Sequence, residues 1–225
     1  MDIRTAVLVD GSFFVKRLDH YKRKFFRTAD PLTAEQIVKA LVSSVRKHLR
    51  YGDSGKQDTS HHLYRIYYYD APPLDIKVHY PLSEAGETRC RVKDYKTEPS
   101  SIIRGEVLEQ LKMQRKLALR LGTTKHDKSK GWRLTPSATQ DLLKKRKSFT
   151  DLTNADFVYE VRQKGVDIKL GLDISTLSYE KQVDKIILIA GDSDFVPAAK
   201  MARKHGIDFI LDPLRNNIDP SLNEQ

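Results

Sequence analysis

The chain has 225 residues, 39% hydrophobic and 31% charged, with a net charge of +10 at pH 7. No apolar run approaches the roughly 18 residues that a membrane-spanning helix needs, and the opening residues, MDIRTAVLVDGSFF, lack the basic region, long apolar core and small-residue cleavage site of a secretion signal. Cys90 is the single cysteine, which excludes a disulfide framework and a cysteine-rich zinc site, so the expectation is a soluble, cytoplasmic, single-domain protein over residues 1–225.

The first apolar run, Thr5–Asp10, reads as a strand that stops at Asp10-Gly11. Thr33–Leu49 reads as a helix. Thr33 stands at the N-cap with Gln36 at the capping-box position, and Ile37, Leu41, Val45 and Leu49 recur at helical spacing. Tyr51–Ser60 is a polar loop. His62–Asp70 is aromatic and β-branched and reads as a second strand, stopped by Pro72-Pro73. Its Tyr67-Tyr68-Tyr69 run alternates faces and leaves at most one ring for a ligand. A long helix is expected over Ser101–Leu121, with Gly122 as its C-terminal cap.

Lys125–Ser148 falls in apolar content and reads as a basic helical insertion, around residues 123–150, with a short strand at Trp132–Leu134 and a helix at Ser137–Lys147. Phe157–Gln163 reads as an edge strand, Val166–Glu180 as a helix and Asp184–Asp192 as a buried strand. Ser193–Gly206 reads as a helix and Ile207–Asp212 as the last strand. Strands alternating with helices imply a three-layer α/β/α fold with a mostly parallel sheet. The C-terminal ends of its strands would form the functional edge.

Charge is uneven. From Lys112 to Lys147, twelve Lys/Arg stand against two acids, Asp127 and Asp141, an excess as large as that of the whole chain. Such a patch implies a polyanionic partner, most commonly nucleic acid, with a solvated surface as the plain alternative. Lys144, Lys145, Arg146 and Lys147 form its densest run. Trp132 beside Arg133 can stack on a base, although a lone tryptophan more often anchors an insertion.

Against this basic background, Asp10, Asp70 and Asp192 each close an expected strand, and Asp192 is followed by Asp194. Magnesium and manganese prefer carboxylate oxygen and water, and phosphodiester hydrolysis uses such ions. Any one of these aspartates is explained equally well as a turn or helix cap. Asp10, Asp192 and Asp194 taken together point to a metal site.

Three stretches, AVLVDGSFF, QKGVDIKLGLDI and IILIAGDSDFVPAAKMARKHGIDFIL, resemble in order and spacing the NYN domains of the PIN-like nuclease superfamily. The resemblance implies a doubly wound fold and a Mg2+- or Mn2+-dependent ribonuclease. Asp10 then matches the metal-binding aspartate of the first strand, Asp167 the acid at the start of the central helix, and Asp192 and Asp194 the acidic pair of the last motif. Asp173 matches a further family aspartate. It lies six residues after Asp167 and so on a different helix face, which ranks it second with Asp70, Ser12 and Ser193. Lys164 and Lys169 flank Asp167 as phosphate contacts or solvated lysines. Many relatives carry asparagine three residues after the first aspartate, where this chain has Phe13; Ser12 is a candidate substitute. RNA is favoured over DNA by resemblance alone. A non-catalytic RNA-binding module on the same fold is the alternative. A Mg2+ phosphotransferase with an Asp-x-Asp nucleophile ranks last, because such a pair usually follows the first strand. The RNA target and a possible homodimer stay open.

Overall fold

Five short apolar runs pair into one all-parallel sheet, and this sheet carries the site. The computed structural model describes residues 2–27, 30–51, 60–84, 86–126 and 131–216. In chain order the elements are β1 (Ile3–Asp10), α1 (Gly11–Tyr21) with one π-helical turn after it (Lys22–Phe26), α2 (Ala34–Arg50), β2 (His61–Asp70), β3 (Lys77–His79), β4 (Val92–Asp94), α3 (Pro99–Lys112), β5 (Leu117–Leu121), β6 (Thr123–His126), β7 (Trp132–Leu134), α4 (Pro136–Leu143), β8 (Phe157–Tyr159), β9 (Val161–Lys164), α5 (Val166–Tyr179), β10 (Lys185–Ile189), α6 (Val196–Lys204) and β11 (Asp208–Asp212). No helix among the described residues is long and apolar enough to cross a membrane.

The chain divides into two compact units, one within residues 1–72, 103–122 and 165–225, the other within 73–102 and 123–164. In the first, the strand order is β11-β10-β1-β2-β5, every pair parallel. Side chains alternate across β1. Ala6 and Leu8 join α5 and α6 through Leu170, Ile174, Leu177, Ala199 and Ala202. Val7 and Val9 join α1, α2 and α3 through Phe14, Ile37, Leu41, Val45, Val107 and Leu111. Two cores on opposite faces make the three-layer α/β/α arrangement, consistent with a PIN-like fold. Each fully buried Leu, Ile or Phe contributes about 1.5–3 kcal/mol. Helix α2 begins as its sequence dictates: the Gln36 N–H donates to Thr33 Oγ1 at 3.2 Å, and the Thr33 N–H donates to Gln36 Oε1 at 3.1 Å.

Several elements differ from the sequence expectation. The helix expected over 101–121 ends at Lys112, and Leu117–Leu121 is the edge strand beside β2. Lys116, at φ +60°, turns the chain between them. Leu117, Leu119 and Leu121 then face the α2–α3 core while Ala118 packs on the other face. That two-residue period was hidden by continuity with the helical leucines before it. Helix α1 is an element the sequence did not announce. Tyr67, Tyr68 and Tyr69 are all buried, so none is available to a ligand. In the second unit, α4 stops at Leu143, which leaves Lys144–Lys147 in the turn beyond it rather than on a helix. This unit is built mainly from three antiparallel two-strand ladders, β3–β4, β6–β9 and β7–β8.

Tyr68 adds a testable detail. A Cβ at Gly11 would lie 2.6 Å from the Tyr68 ring, so glycine is needed where α1 starts. Among the described residues, Tyr68 Oη is the buried side-chain polar atom with no hydrogen-bond partner. Removing an unpaired buried hydroxyl relieves a desolvation penalty. Tyr68→Phe is therefore expected to equal or exceed the parent's stability, by up to about 1 kcal/mol, in chemical denaturation. A clear loss would show that this oxygen has a partner in solution.

Candidate acidic site at the sheet edge

Asp10 is the last residue of β1 and the N-cap of α1, its Oδ1 accepting the Phe13 N–H at 3.0 Å. One oxygen of the carboxylate is thereby committed to the backbone. The neighbouring strand β10 ends at Ile189, so Asp192 stands three residues beyond it, in a loop rather than at the strand end expected. Its Oδ1 accepts the Asp194 N–H at 3.0 Å and starts the short 3-10 turn Ser193–Phe195 that leads into α6. The Ser193 side chain lies outside the described residues. Asp167 sits in the first turn of α5, whose N-cap is Gly165 at φ +78°, with no side-chain cap. A carboxylate there faces the positive end of the helix dipole and its unpaired N–H groups.

The electrostatics tie these three segments together. Burial raises the Asp10 carboxyl above its usual range; the Phe13 N–H restrains it, and the Asp167 charge pushes it further up. Burial likewise raises Asp167, with Asp192 and then Asp194 adding to the effect. Asp167 thus lies within electrostatic reach of Asp10 on one side and of Asp192 and Asp194 on the other.

All the donors are carboxylate oxygens, which suits a hard divalent cation. A cation among them would offset the burial and the like-charge repulsion that together raise Asp10 and Asp167. Among the described residues, no three His, Cys, Asp or Glu side chains close around a common point as a finished metal site.

The second-ranked acids are engaged differently. Asp70 is buried at the end of β2 and paired with Arg104 of α3, whose Nε donates at 3.1 Å and whose Nη2 donates to its other oxygen. Ser12 Oγ accepts from the same Nη2 at 3.0 Å. Asp173 accepts from Tyr69 Oη at 2.7 Å and Arg120 Nε at 2.8 Å. Lys169 Nζ donates to the Leu121 carbonyl at 2.8 Å. Arg104 and Arg120 carried no motif in the sequence, since each stands alone among apolar neighbours.

In the second unit, Trp132 stacks on Tyr80, meets Tyr159 edge-on and donates to the His79 carbonyl at 2.6 Å, the bonding pattern of an anchor. Arg133 pairs with Glu160, Lys147 with Asp156 and Arg146, at 3.9 Å, with Asp141. Lys144, Lys145 and Lys164 are exposed.

Phe13 stands where relatives of the resembled family carry asparagine, and its ring packs on the last motif. A Cβ at Gly191 would lie 2.3 Å from that ring. The first and last motifs are thus joined by an aromatic contact on glycine.

A parallel five-strand sheet sandwiched between helices is consistent with a PIN-like architecture. A family model described as the NYN domain matches residues 90–217, more than half of the chain, and the chain belongs to that family. The match takes in Asp167, Asp192 and Asp194 and leaves Asp10 outside it. Among solved structures the chain is similar to a protein of unknown function from Vibrio parahaemolyticus, at 12% identity and a TM-score of 0.40, covering 98% of this chain and 87% of that one. Comparison with curated proteins gives no match.

Two outcomes follow from this geometry. A carboxyl whose folded pKa is raised binds its proton more tightly in the folded state, so the fold gains stability as pH falls through that value and bears the repulsion above it. Asp167→Asn should therefore raise the metal-free melting temperature at pH 7, by a gain of about 0.5 kcal/mol after solvent screening, and the difference should shrink at acid pH. Mn2+ should stabilise the parent more than the variant. Separately, Gly191→Ala should destabilise by about 1–3 kcal/mol through overpacking. Adding Phe13→Ala should recover part of that loss in a double-mutant cycle.

Proposed function

We propose that the protein is a metal-dependent endoribonuclease that hydrolyses RNA phosphodiester bonds, with Asp10, Asp167, Asp192 and Asp194 holding Mg2+ or Mn2+. The observation that carries this reading is the placing of four carboxylates on three segments where burial, and after it the like charge of Asp167 on Asp10 and of Asp192 and Asp194 on Asp167, raises Asp10 and Asp167. Capping does not require carboxylates, since serine, threonine or asparagine caps a helix without net charge. A bound divalent cation supplies Lewis acidity for attack on the phosphodiester.

The chain's own groups do the rest. The backbone bonds from Phe13 to Asp10 and from Asp194 to Asp192 orient two carboxylates. Arg104 neutralises Asp70, which keeps that acid out of the ligand set. A net charge of +10 favours a polyanion with little sequence preference, and membership of the NYN family supports a nucleic-acid substrate.

Two observations favour a second reading, a non-catalytic RNA-binding module. Phe13 replaces the family asparagine, and the described acids do not close into a finished metal site. The deciding experiment is cleavage of a labelled single-stranded RNA with Mn2+ or Mg2+, against EDTA and against Asp192→Asn. The expected result is a metal-dependent cut that falls on the order of 10²-fold in the variant, the scale of one lost electrostatic contact to a transition state. Salt-sensitive binding without a cut would establish the module instead.

A further inference from the structure

The stretch YKRKFFR, Tyr21–Arg27, interleaves cations with aromatic rings, and the acidic site does not use it. Helix α1 ends there in a single π-helical turn, Lys22–Phe26, a rare geometry found often at functional sites. The turn leaves Phe25 60% and Phe26 77% exposed. Arg17 lies 5.0 Å from the Tyr21 ring centroid, and Tyr21 stacks on Phe25 with centroids 5.9 Å apart and planes 25° from parallel. A column of planar groups thus runs along α1 and ends on an exposed ring.

Beside this column lies a cleft of about 430 Å³, bounded by Tyr21 and Phe25, by Tyr51 and Lys47 of α2, and by Arg215 after β11. It is preformed. The Leu214 carbonyl accepts from Arg17 Nη2 at 3.0 Å and from Tyr21 Oη, which fastens the chain leaving β11 to α1. Those bonds hold Leu214 and Arg215 in left-handed backbone, at φ 46° and 53°, a conformation disfavoured for such residues. The acid in the cleft, Asp212, is already bound by His48 Nε2 at 2.8 Å. Burial alone would raise its carboxyl, but the hydrogen bonds from His48 and from the Leu214 N–H outweigh it and hold the group below its usual range.

We propose that this cleft is a subsite for a nucleobase of single-stranded RNA, with the base stacking on Phe25 and Tyr51 and the adjoining phosphates meeting Lys47 and Arg215, which line it. The assignment rests on RNA being the ligand of the acidic site. Aromatic faces with nearby cations are the means by which single strands are held without sequence readout, and the volume falls within the range of small-ligand pockets. A membrane anchor would instead present its rings on an apolar face. Here the rings border a polar concavity that also holds the hydrogen-bonded His48 and Asp212 side chains.

The test is the affinity of a labelled, mixed-sequence single-stranded RNA for the full chain in EDTA, read by fluorescence anisotropy. Phe25→Ala and Tyr51→Ala should each weaken binding about 5- to 100-fold, at unchanged melting temperature because both rings are exposed. Phe25→Trp, which keeps a stacking face, should restore affinity. Parent-like affinity in both alanine variants would overturn the subsite. So would phosphatidylserine-vesicle binding that is lost in Phe25→Ala while RNA binding is kept. Weakened binding in Phe25→Ala with no cleavage by the parent would leave the subsite standing and remove the nuclease. Cleavage by the parent with full affinity in Phe25→Ala would do the reverse.

Discussion

The parallel pairing of β1 with β10 is the constraint on which the rest depends. Asp10 and Asp192 are separated by most of the chain, yet Val9 lies opposite Ile189 and brings the ends of their strands together. Residues Ala6–Val9 and Ile186–Ile189 are almost entirely buried. A register slip of one residue would turn every one of these side chains to the wrong face. The hydrophobic effect therefore holds the register, and the register places the acids. The charged edge is paid for by apolar contacts in the layers beneath it.

The fold handles its acids in two ways. Asp70 and Asp173 are each matched by an arginine brought in from another element, Arg104 from α3 and Arg120 from β5. Among the described residues, Asp10, Asp167, Asp192 and Asp194 form no such ion pair, and only the more distant charges of Lys16 and Arg104 offset Asp10. The same sheet edge thus carries satisfied carboxylates beside unsatisfied ones. Unsatisfied like charges of this kind are a recurrent mark of functional sites.

Much of this was legible in the sequence because the signals were local or periodic. The α2 capping box, the buried runs of β1 and β10 and the order of the three motifs all lie within short windows, and the NYN assignment followed from them. What escaped depended on distant partners. Strand β5 is indistinguishable from a helical continuation until β2 is there to pair with it. The bonds of Arg104 to Asp70 and of Arg120 to Asp173 span dozens of residues. Phe13 reads as a missing asparagine until its ring is seen against Gly191. The YKRKFFR stretch is basic and aromatic in composition, but that its rings are exposed depends on the π-helical turn, which has no local sequence signature.

Helix α1 has one further consequence. Its eleven residues join Asp10, at the cap, to Tyr21, where the aromatic column meets the cleft. Helical rise makes that span about 16 Å, and a helix does not stretch. A strand anchored by one base at the far end would present a fixed phosphate to the near end, whatever its sequence. The helix would then serve as a ruler, setting the distance from the gripped base to the cut and the shortest fragment that engages both.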